Sequence, residues 1–499
     1  MVVPTVSQLA RGWRPFGDDA AIASRAYQVF SLHPPLLGLA SAVSYRTGHS
    51  VFDPGPLLFY LLSVPVHIDP NRGLLWGAAL WSGLALSVAV EAAWSVGRWV
   101  GGILVAFVVL DLFWLTPGVF GNLAWNAYFP VPFLIAAFAA AMATCVGSAR
   151  WWPVVVVAAS VAAESHLFFV VPSVALVVVA LVFGAIRSWG PRRFGWLVTG
   201  LVLAALCWLA PIIEQLTAIH GNLTGLLVSG KGQASLGVSF ALRDVGLAAA
   251  LHPVWLTHQP SGFFPTAALE TAYPAWYGAL VLGLLGVVAA VALLAKHRVL
   301  GSMGLLTLVT TAGLTVNLAV FPAKNALSIG YLIDVFWIVG ILLWVLVIAV
   351  FGTTVGLVAA HIGAASTGPG GVQRLVPQGA LLGLAALVVV GVLGIGRGVT
   401  RPVTVSWNSA EVTLDSRLAT TIETQVPPEA VSILVLDDNF FTGTWVTEGV
   451  AYRLESDGWT VGTSGDALIY TGLAIQDARH EPNYVIRLHG TTLVSLQRS

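Results

Sequence analysis

The chain has 499 residues, of which 57% are hydrophobic and only 9% are charged, and its formal net charge is zero. Soluble domains carry about 25% charged residues, and a membrane-spanning helix needs a run of roughly 18 or more apolar residues. Because several runs here are that long, the composition excludes an ordinary soluble protein and predicts a polytopic membrane protein. The neutral balance gives no indication of nucleic-acid binding. Cys145 and Cys207 fall inside apolar runs and are interpreted as core residues, not as a disulfide or a metal site.

The first 73 residues contain no plain membrane span. Four prolines interrupt residues 18–67, and the apolar stretch LLFYLLSVPV has only about ten residues, too few to cross a bilayer. We interpret 18–30 as a helix lying along the membrane surface, followed by further short helices. Because no helix precedes this loop, either a first helix is missing from the chain or the short N-terminal segment lies at the membrane interface.

Ten candidate spans follow, and a restored first helix would raise the number to eleven. Arginine and lysine are concentrated in alternate loops, which the positive-inside rule places in the cytoplasm. The region 1–73, the loops at 116–127, 214–273 and 322–328, and the C-terminal segment are then extracytoplasmic. The candidate spans are 74–95, 99–115, 128–147, 151–164, 167–186, 195–213, 274–295, 299–321, 329–351 and 375–396.

Residues 401–499, called the tail below, differ in composition from the rest. They hold 12 of the 23 acidic residues and six basic ones, a local balance of −6. The pattern predicts strands in VSILVLDD, WTVGT and NYVIRLHG and a helix in WVTEGVAYRLESDG. The predicted fold is therefore an α-helical membrane domain over 74–400 with about 10–11 transmembrane helices, followed by a small soluble extracytoplasmic α/β domain.

Two adjacent carboxylates, Asp18 and Asp19, stand at the start of the predicted surface helix. Helix capping is one explanation, because an Asp at the N-cap and another in the first turn both stabilise a helix N-terminus. The functional explanation is a general base acting on a hydroxyl group, since repulsion between adjacent charges raises at least one pKa toward a useful range. Arg25 follows two turns later on the same face, where it would neutralise the acid, bind a phosphate or reach the lipid headgroups.

Other polar residues on the predicted extracytoplasmic side are candidate substrate contacts. For those at helix ends, contact with a sugar and an ordinary place at the headgroup level are both open. The two extracytoplasmic lysines would pair with a lipid-linked phosphate or anchor the chain at the interface. The candidates are His33, Asp53, Asn126, Tyr128, Glu164, His166, Glu214, Asn222, Lys231 and Lys324.

The order of these features resembles the GT-C superfamily of membrane glycosyltransferases, which use polyprenyl-phosphate sugars. An acidic pair lies in the first extracytoplasmic loop, SLHPPLLG and FDPGPLLFYLL follow, and many spans precede a soluble tail. WNAYFPVPF, AAESHLFFVVP and APIIEQLTAIHGNLTGLL look most like uncharacterised actinobacterial arabinosyl- and mannosyltransferase-like members. The resemblance covers about residues 16–400. The chain departs from the family in having Asp53 where a histidine is usual, and in having no helix before the first loop.

The resemblance implies an inverting glycosyltransferase that moves a sugar from a polyprenyl-phosphate donor to a cell-envelope glycan or glycolipid, on the extracytoplasmic side. Asp18 or Asp19 would be the general base, and Arg25, Lys231 or Lys324 would hold the departing phosphate. No metal cofactor is expected, because a phosphate monoester is a tolerable leaving group when a cation stabilises it. The tail would bind the acceptor glycan or a partner, or serve as a stability or assembly module.

Two alternatives remain open. A transporter or flippase for lipid-linked sugars predicts charged groups in mid-membrane and repeat symmetry between halves. The acidic residues of the first 400 cluster near one predicted surface and no internal repeat is evident, which favours the enzyme. The second alternative is a non-catalytic relative that binds glycan or scaffolds an assembly.

Overall fold

The structure is a computed structural model that describes residues 2–10, 12–41, 51–115, 124–187, 191–219, 221–229, 234–250, 273–323, 330–366, 409–426, 432–437, 443–463, 484–489 and 492–498. Helices dominate it and are numbered in chain order. They are α1 Val2–Ala10, α2 Asp18–Tyr27, α3 Leu57–Ile68, α4 Gly73–Leu115, α5 Pro130–Val146, α6 Trp152–Ser165, α7 Val170–Arg187, α8 Pro191–Cys207, α9 Leu209–Thr217, α10 Asn222–Ser229, α11 Val238–Ala248, α12 Ala275–Leu294, α13 Arg298–Val320, α14 Gly330–Ser366, α15 Ser409–Gln425 and α16 Gly443–Ser456. The strands are β1 Ser432–Asp437, β2 Thr460–Thr463, β3 Tyr484–His489 and β4 Thr492–Arg498.

Five of the described helical segments are long and apolar enough to cross a bilayer. A sixth would form if the bent pair Phe194–Cys207 and Leu209–Thr217, which meet at 48°, is one broken span. The predicted span at 375–396 lies outside the described residues, so the total of ten or eleven stays a prediction. The five segments are Gly73–Arg98, Leu167–Gly184, Ala275–Leu294, Arg298–Val320 and Gly330–Phe351.

Two predicted regions differ from simple bilayer-crossing helices. Helix α4 runs from the predicted span 74–95 into 99–115 and bends at Arg98, whose φ of 53° lies in the left-handed region. Helix α6 occupies 151–164, but its 14 residues extend only about 21 Å, less than the roughly 30 Å of a hydrocarbon core. Most of its side chains are buried among neighbouring helices, which explains why its sequence is as apolar as that of a span.

The acidic pair begins α2, a helix of ten residues that is buried rather than exposed along its length. Gly17 precedes it with a φ of 54°, a conformation that glycine adopts without strain. Small side chains let α3 and α16 approach α2 closely, so the expected surface helix is enclosed by protein on two sides. Its fully buried alanines are Ala20, Ala21, Ala23 and Ala26.

The described part of the tail contains a four-stranded sheet in the order β2-β1-β3-β4. Strand β1 pairs in parallel with β2 and β3, and β4 is antiparallel to β3. Helix α16 and strands β1, β2 and β3 coincide with the four elements that the sequence predicts. Helix α15 and strand β4 have no counterpart among those predictions, and an independent domain over 401–499 stays a prediction.

The tail packs against the beginning of the chain. The hydroxyl of Tyr452 in α16 donates a hydrogen bond to the carbonyl of Pro70 at 2.6 Å. Phe16, two residues before the acidic pair, is buried in the apolar core of the tail. The loop that carries the acidic pair therefore lies between the membrane helices and the tail.

Candidate functional site

Asp18 and Asp19 occupy the first turn of α2, and Gly17, not an aspartate, is the N-cap residue. Because glycine has no side chain, the helix lacks the side-chain hydrogen bond through which an N-cap stabilises a helix most. The helix dipole still favours both charges. Capping by itself therefore does not account for two adjacent carboxylates.

The two carboxylates have different surroundings. Oδ2 of Asp18 accepts a hydrogen bond from the indole Nε1 of Trp125 at 2.7 Å, and this aspartate is partly exposed. Asp19 is only 2% exposed, and its Oδ1 has no hydrogen-bond partner among the described residues. Burial raises the pKa of Asp18, and the bond from Trp125 opposes that rise. Burial, and then the charge of Asp18, raise the pKa of Asp19 well above its usual value.

Trp125 lies in the turn that precedes α5. Its ring contacts Tyr128 edge-on, with centroids 5.1 Å apart, and Tyr331 of α14 at 4.9 Å. The phenol of Tyr331 is near enough to interact electrostatically with the carboxyl groups of Asp53 and Asp18. Aromatic rings and carboxylates thus share one site, which we call the Asp18 cluster. Its members are Asp18, Asp53, Trp125, Asn126, His166 and Tyr331.

Asp53 joins three separate segments at one carboxylate. Its Oδ2 accepts a hydrogen bond from Nδ2 of Asn126 at 2.9 Å, and its Oδ1 accepts one from the amide of Leu167 at 2.9 Å. Burial raises the pKa of Asp53 to about 7; the two hydrogen bonds oppose this rise, and the charge of Asp18 adds to it. Asp53 and Asn126, both predicted substrate contacts, therefore bind each other and hold the walls of the site together.

Two glycines let the Asp53 loop lie close to α6. A Cβ at Gly38 would come within 2.6 Å of the Cβ of Asp53, and a Cβ at Gly55 would overlap the Glu164 carboxylate. The amide of Gly55 donates a hydrogen bond to the carbonyl of Glu164 at 3.4 Å. The amide of Leu57, at the N-terminus of α3, faces the same carboxylate, where the helix dipole favours a negative charge. Glu164 therefore lies against the loop that carries Asp53.

His166 follows α6 and is neutral near pH 7, because burial lowers its pKa to about 4. Its Nδ1 accepts a hydrogen bond from the amide of Phe168 at 3.1 Å, which places the proton of the neutral ring on Nε2. The ring meets Tyr331 edge-on, with centroids 6.0 Å apart. At neutral pH this imidazole has a hydrogen-bond donor to offer and no free basic nitrogen.

Asn222 and Glu214 brace the Asp53 loop from another direction. Oδ1 of Asn222 accepts a hydrogen bond from the amide of Phe52 at 2.9 Å, and its Nδ2 donates one to the Phe52 carbonyl at 3.0 Å. Both carboxylate oxygens of Glu214 face the backbone amide of Asn222, at 3.2 and 3.1 Å. These two predicted substrate contacts therefore fix the residue next to Asp53.

The remaining predicted residues lie further off or outside the described part. Arg25 is about 10 Å beyond Asp18 along α2, where it donates a hydrogen bond to Gln28 at 3.4 Å and its charge interacts with Glu455 of the tail. His33 is exposed beyond the end of α2. The two lysines that fall outside the described residues are Lys231 and Lys324.

Sequence reasoning missed three partners in the Asp18 cluster. Trp125 fits an aromatic belt as well as a carboxylate donor, and only its place beside Asn126 in WNAYFP indicates otherwise. Tyr331 lies in IGYLIDVFW, where Asp334 draws attention first. The amide of Leu167 is a backbone group, which no residue pattern identifies as a ligand of Asp53.

The cluster combines a partly exposed carboxylate, an indole that orients it and a neutral imidazole. The carboxylate is suited to accept a proton from a hydroxyl group, and the imidazole to donate a hydrogen bond. Among the described residues, no group of three or more His, Cys, Asp or Glu side chains could hold a metal ion. The expectation that no metal takes part stays a prediction.

The sequence matches no protein-family profile, and no curated protein matches it significantly. Two solved structures are similar in fold. One is the archaeal oligosaccharyltransferase AglB from Archaeoglobus fulgidus in complex with an inhibitory peptide and a dolichol-phosphate, with 14% identity and a TM-score of 0.39. The other is the Archaeoglobus fulgidus oligosaccharyltransferase tethered to an acceptor peptide with the NVT sequon, with 14% identity and a TM-score of 0.38. The alignments cover 90% of this chain but only 63% and 62% of those chains.

Proposed function

We propose that the protein is an inverting GT-C glycosyltransferase of the membrane, with Asp18 as its general base. The observation that carries the proposal is the partly exposed Asp18 carboxylate, held by the indole of Trp125 at 2.7 Å within a cluster of polar and aromatic groups. A base must reach its proton and be oriented toward it, and Asp18 meets both conditions. Asp19, 2% exposed, does not meet the first.

In the proposed reaction, Asp18 takes the proton of an acceptor hydroxyl group on a cell-envelope glycan or glycolipid. The oxygen attacks the anomeric carbon of the sugar as the bond to the polyprenyl phosphate breaks, so the configuration inverts in one step. The N–H of His166 donates a hydrogen bond to the sugar or to the acceptor. Arg25, Lys231 or Lys324 neutralises the departing phosphate, and the reaction takes place on the extracytoplasmic side.

Asp53 and Asn126 have a positioning role in this mechanism. Each already uses a side-chain atom on the other, and Asp53 also accepts the Leu167 amide. The charge of Asp53 interacts with that of Asp18, so the pair ionises in two steps, with Asp18 first. Asp53 therefore sets the electrostatic surroundings of the base without needing to touch substrate.

The test is sugar transfer by membranes that contain the native chain, Asp18→Asn or Asp19→Asn at equal expression. Radiolabelled polyprenyl-phosphate arabinose, mannose and glucose serve as donors, and envelope extracts serve as acceptor. We expect Asp18→Asn to lower kcat by roughly 10²–10⁴-fold, the usual contribution of a general base. Asp19→Asn should retain more activity than Asp18→Asn.

Equal transfer by the native chain and Asp18→Asn would contradict the assignment of the base. Donor binding by a native chain that transfers no sugar would instead support the non-catalytic relative. Donor-dependent movement of the lipid-linked sugar across the bilayer, without transfer, would support the flippase.

A further inference from the structure

The tail contacts α2 on both sides of the acidic pair. On the N-terminal side, Phe16 lies two residues before Asp18, and it is only 5% exposed. Its ring is part of an apolar cluster whose other buried members all belong to the tail. These members include Leu418, Ile422, Val435, Val446, Val450 and Ile486.

On the C-terminal side, a polar contact joins α2 to α16. The hydroxyl of Ser24 donates a hydrogen bond to Oε2 of Glu455 at 2.7 Å, although 431 residues separate the two in sequence. Gln28 donates to the Ser24 hydroxyl at 3.1 Å, and the charge of Arg25 interacts favourably with that of Glu455. Ser24 is fully buried, so this contact is shielded from solvent.

A third contact fixes α16 to the membrane helices. The hydroxyl of Tyr452 donates a hydrogen bond to the Pro70 carbonyl at 2.6 Å, and the side chain is buried in the main core of the membrane helices rather than in that of the tail. Helix α16 therefore has a fixed place relative to α3 and α4, against which α2 can be held.

A helix of ten residues has little stability of its own, and its orientation is set by what packs against it. We propose that the tail is the element that positions the acidic-pair helix, with Phe16 and Glu455 as positioning residues. This inference rests on the proposed function only where it concerns activity. Together, the two contacts hold Asp18 where the indole of Trp125 can reach it.

The first test measures amide hydrogen exchange of peptides covering residues 16–28, in the full chain in nanodiscs. Glu455→Ala removes the acceptor of the Ser24 hydroxyl, and Glu455→Gln retains an oxygen in the same place. We expect exchange in α2 to rise about tenfold or more in Glu455→Ala and to stay closer to native in Glu455→Gln. Asp457→Asn is the matched control, because that carboxylate is two residues away and accepts its hydrogen bond from Arg453 at 2.7 Å.

The second test is the pH dependence of kcat/KM for sugar transfer. If α2 shifts, the bond from Trp125 to Asp18 weakens and the acidic limb of the profile moves to higher pH. A smaller folded fraction lowers the rate at every pH and leaves the limb in place. We therefore expect Glu455→Ala to shift the limb and Asp457→Asn to leave it unchanged.

Unchanged exchange in α2 of Glu455→Ala would overturn the proposal, whatever the protein's activity. Faster exchange with an unmoved acidic limb would overturn the catalytic part, because α2 would then have loosened without displacing Asp18. If the native chain transfers no sugar, the proposed function fails, and the exchange measurement alone decides whether the tail positions α2.

Discussion

Replacing Trp125 by phenylalanine tests the link between the indole and the proposed base. The variant keeps an aromatic ring between Tyr128 and Tyr331 but removes the N–H that Asp18 accepts at 2.7 Å. This bond favours the charged form of Asp18 and opposes the rise in its pKa that burial causes. Trp125→Phe should therefore raise the pKa of Asp18 further.

The expected size follows from the strength of the bond. A hydrogen bond to a charged group contributes about 1.5–3 kcal/mol, and one pKa unit corresponds to about 1.4 kcal/mol. Because Asp18 is partly exposed, water replaces some of the lost bond, and we expect a rise of about one unit. A base works only when deprotonated, so the acidic limb of kcat/KM should move up by about one pH unit, while the rate well above it stays near native.

The assay is the pH profile of transfer from the active polyprenyl-phosphate sugar, with Trp208→Phe as the matched control. The indole of Trp208 donates to the neutral hydroxyl of Ser160 at 3.1 Å, so its loss should not move the limb. An unmoved limb in Trp125→Phe would refute the assignment of Asp18 as the base. An equal shift in both variants would show that the effect does not come from the Asp18 contact.

Three further outcomes test the supports of the site. Asn222→Ala breaks two buried hydrogen bonds to the Phe52 backbone and should cost about 1–3 kcal/mol, seen as a lower Tm in detergent. Gly55→Ala should lower the Tm further or reduce the folded yield, because its Cβ would overlap the Glu164 carboxylate. Burial raises the pKa of Glu455 to about 7, so the folded protein holds this proton more tightly than the unfolded chain. Stability from this group is therefore fully present below about pH 4.5 and lost as pH rises through about 7, and Glu455→Gln should flatten that part of the Tm profile.

Each of these measurements has a result that would contradict it. Gly283→Ala is the control for Gly55→Ala, since a Cβ at Gly283 meets open space, and an equal loss of stability in both would remove the steric argument. An unchanged Tm in Asn222→Ala would mean that the Asp53 loop does not depend on this brace. A Tm profile of Glu455→Gln parallel to that of the native chain would assign the pH dependence to other groups.

Local patterns in the sequence predict much of the helical scaffold. Apolar runs of 18 or more residues identify the segments around 275–294, 298–320 and 330–351, because burial in lipid requires such runs whatever surrounds them. Alternation and turn residues likewise locate β1 and α16 in the tail. The same reasoning assigns a span to 151–164, since an apolar helix buried among other helices has the same composition as one that faces lipid.

The sequence by itself locates the acidic pair and indicates that it needs a reason. Only the tertiary structure distinguishes its members, because the choice depends on which carboxylate meets Trp125, 107 residues away, and which is enclosed by protein. The pairing of Asp53 with Asn126 and the place of Phe16 in the tail are decided in the same way. Periodicity shows which face of a helix is apolar, but hydrogen-bond partners are set by how distant segments pack, and no local pattern records that.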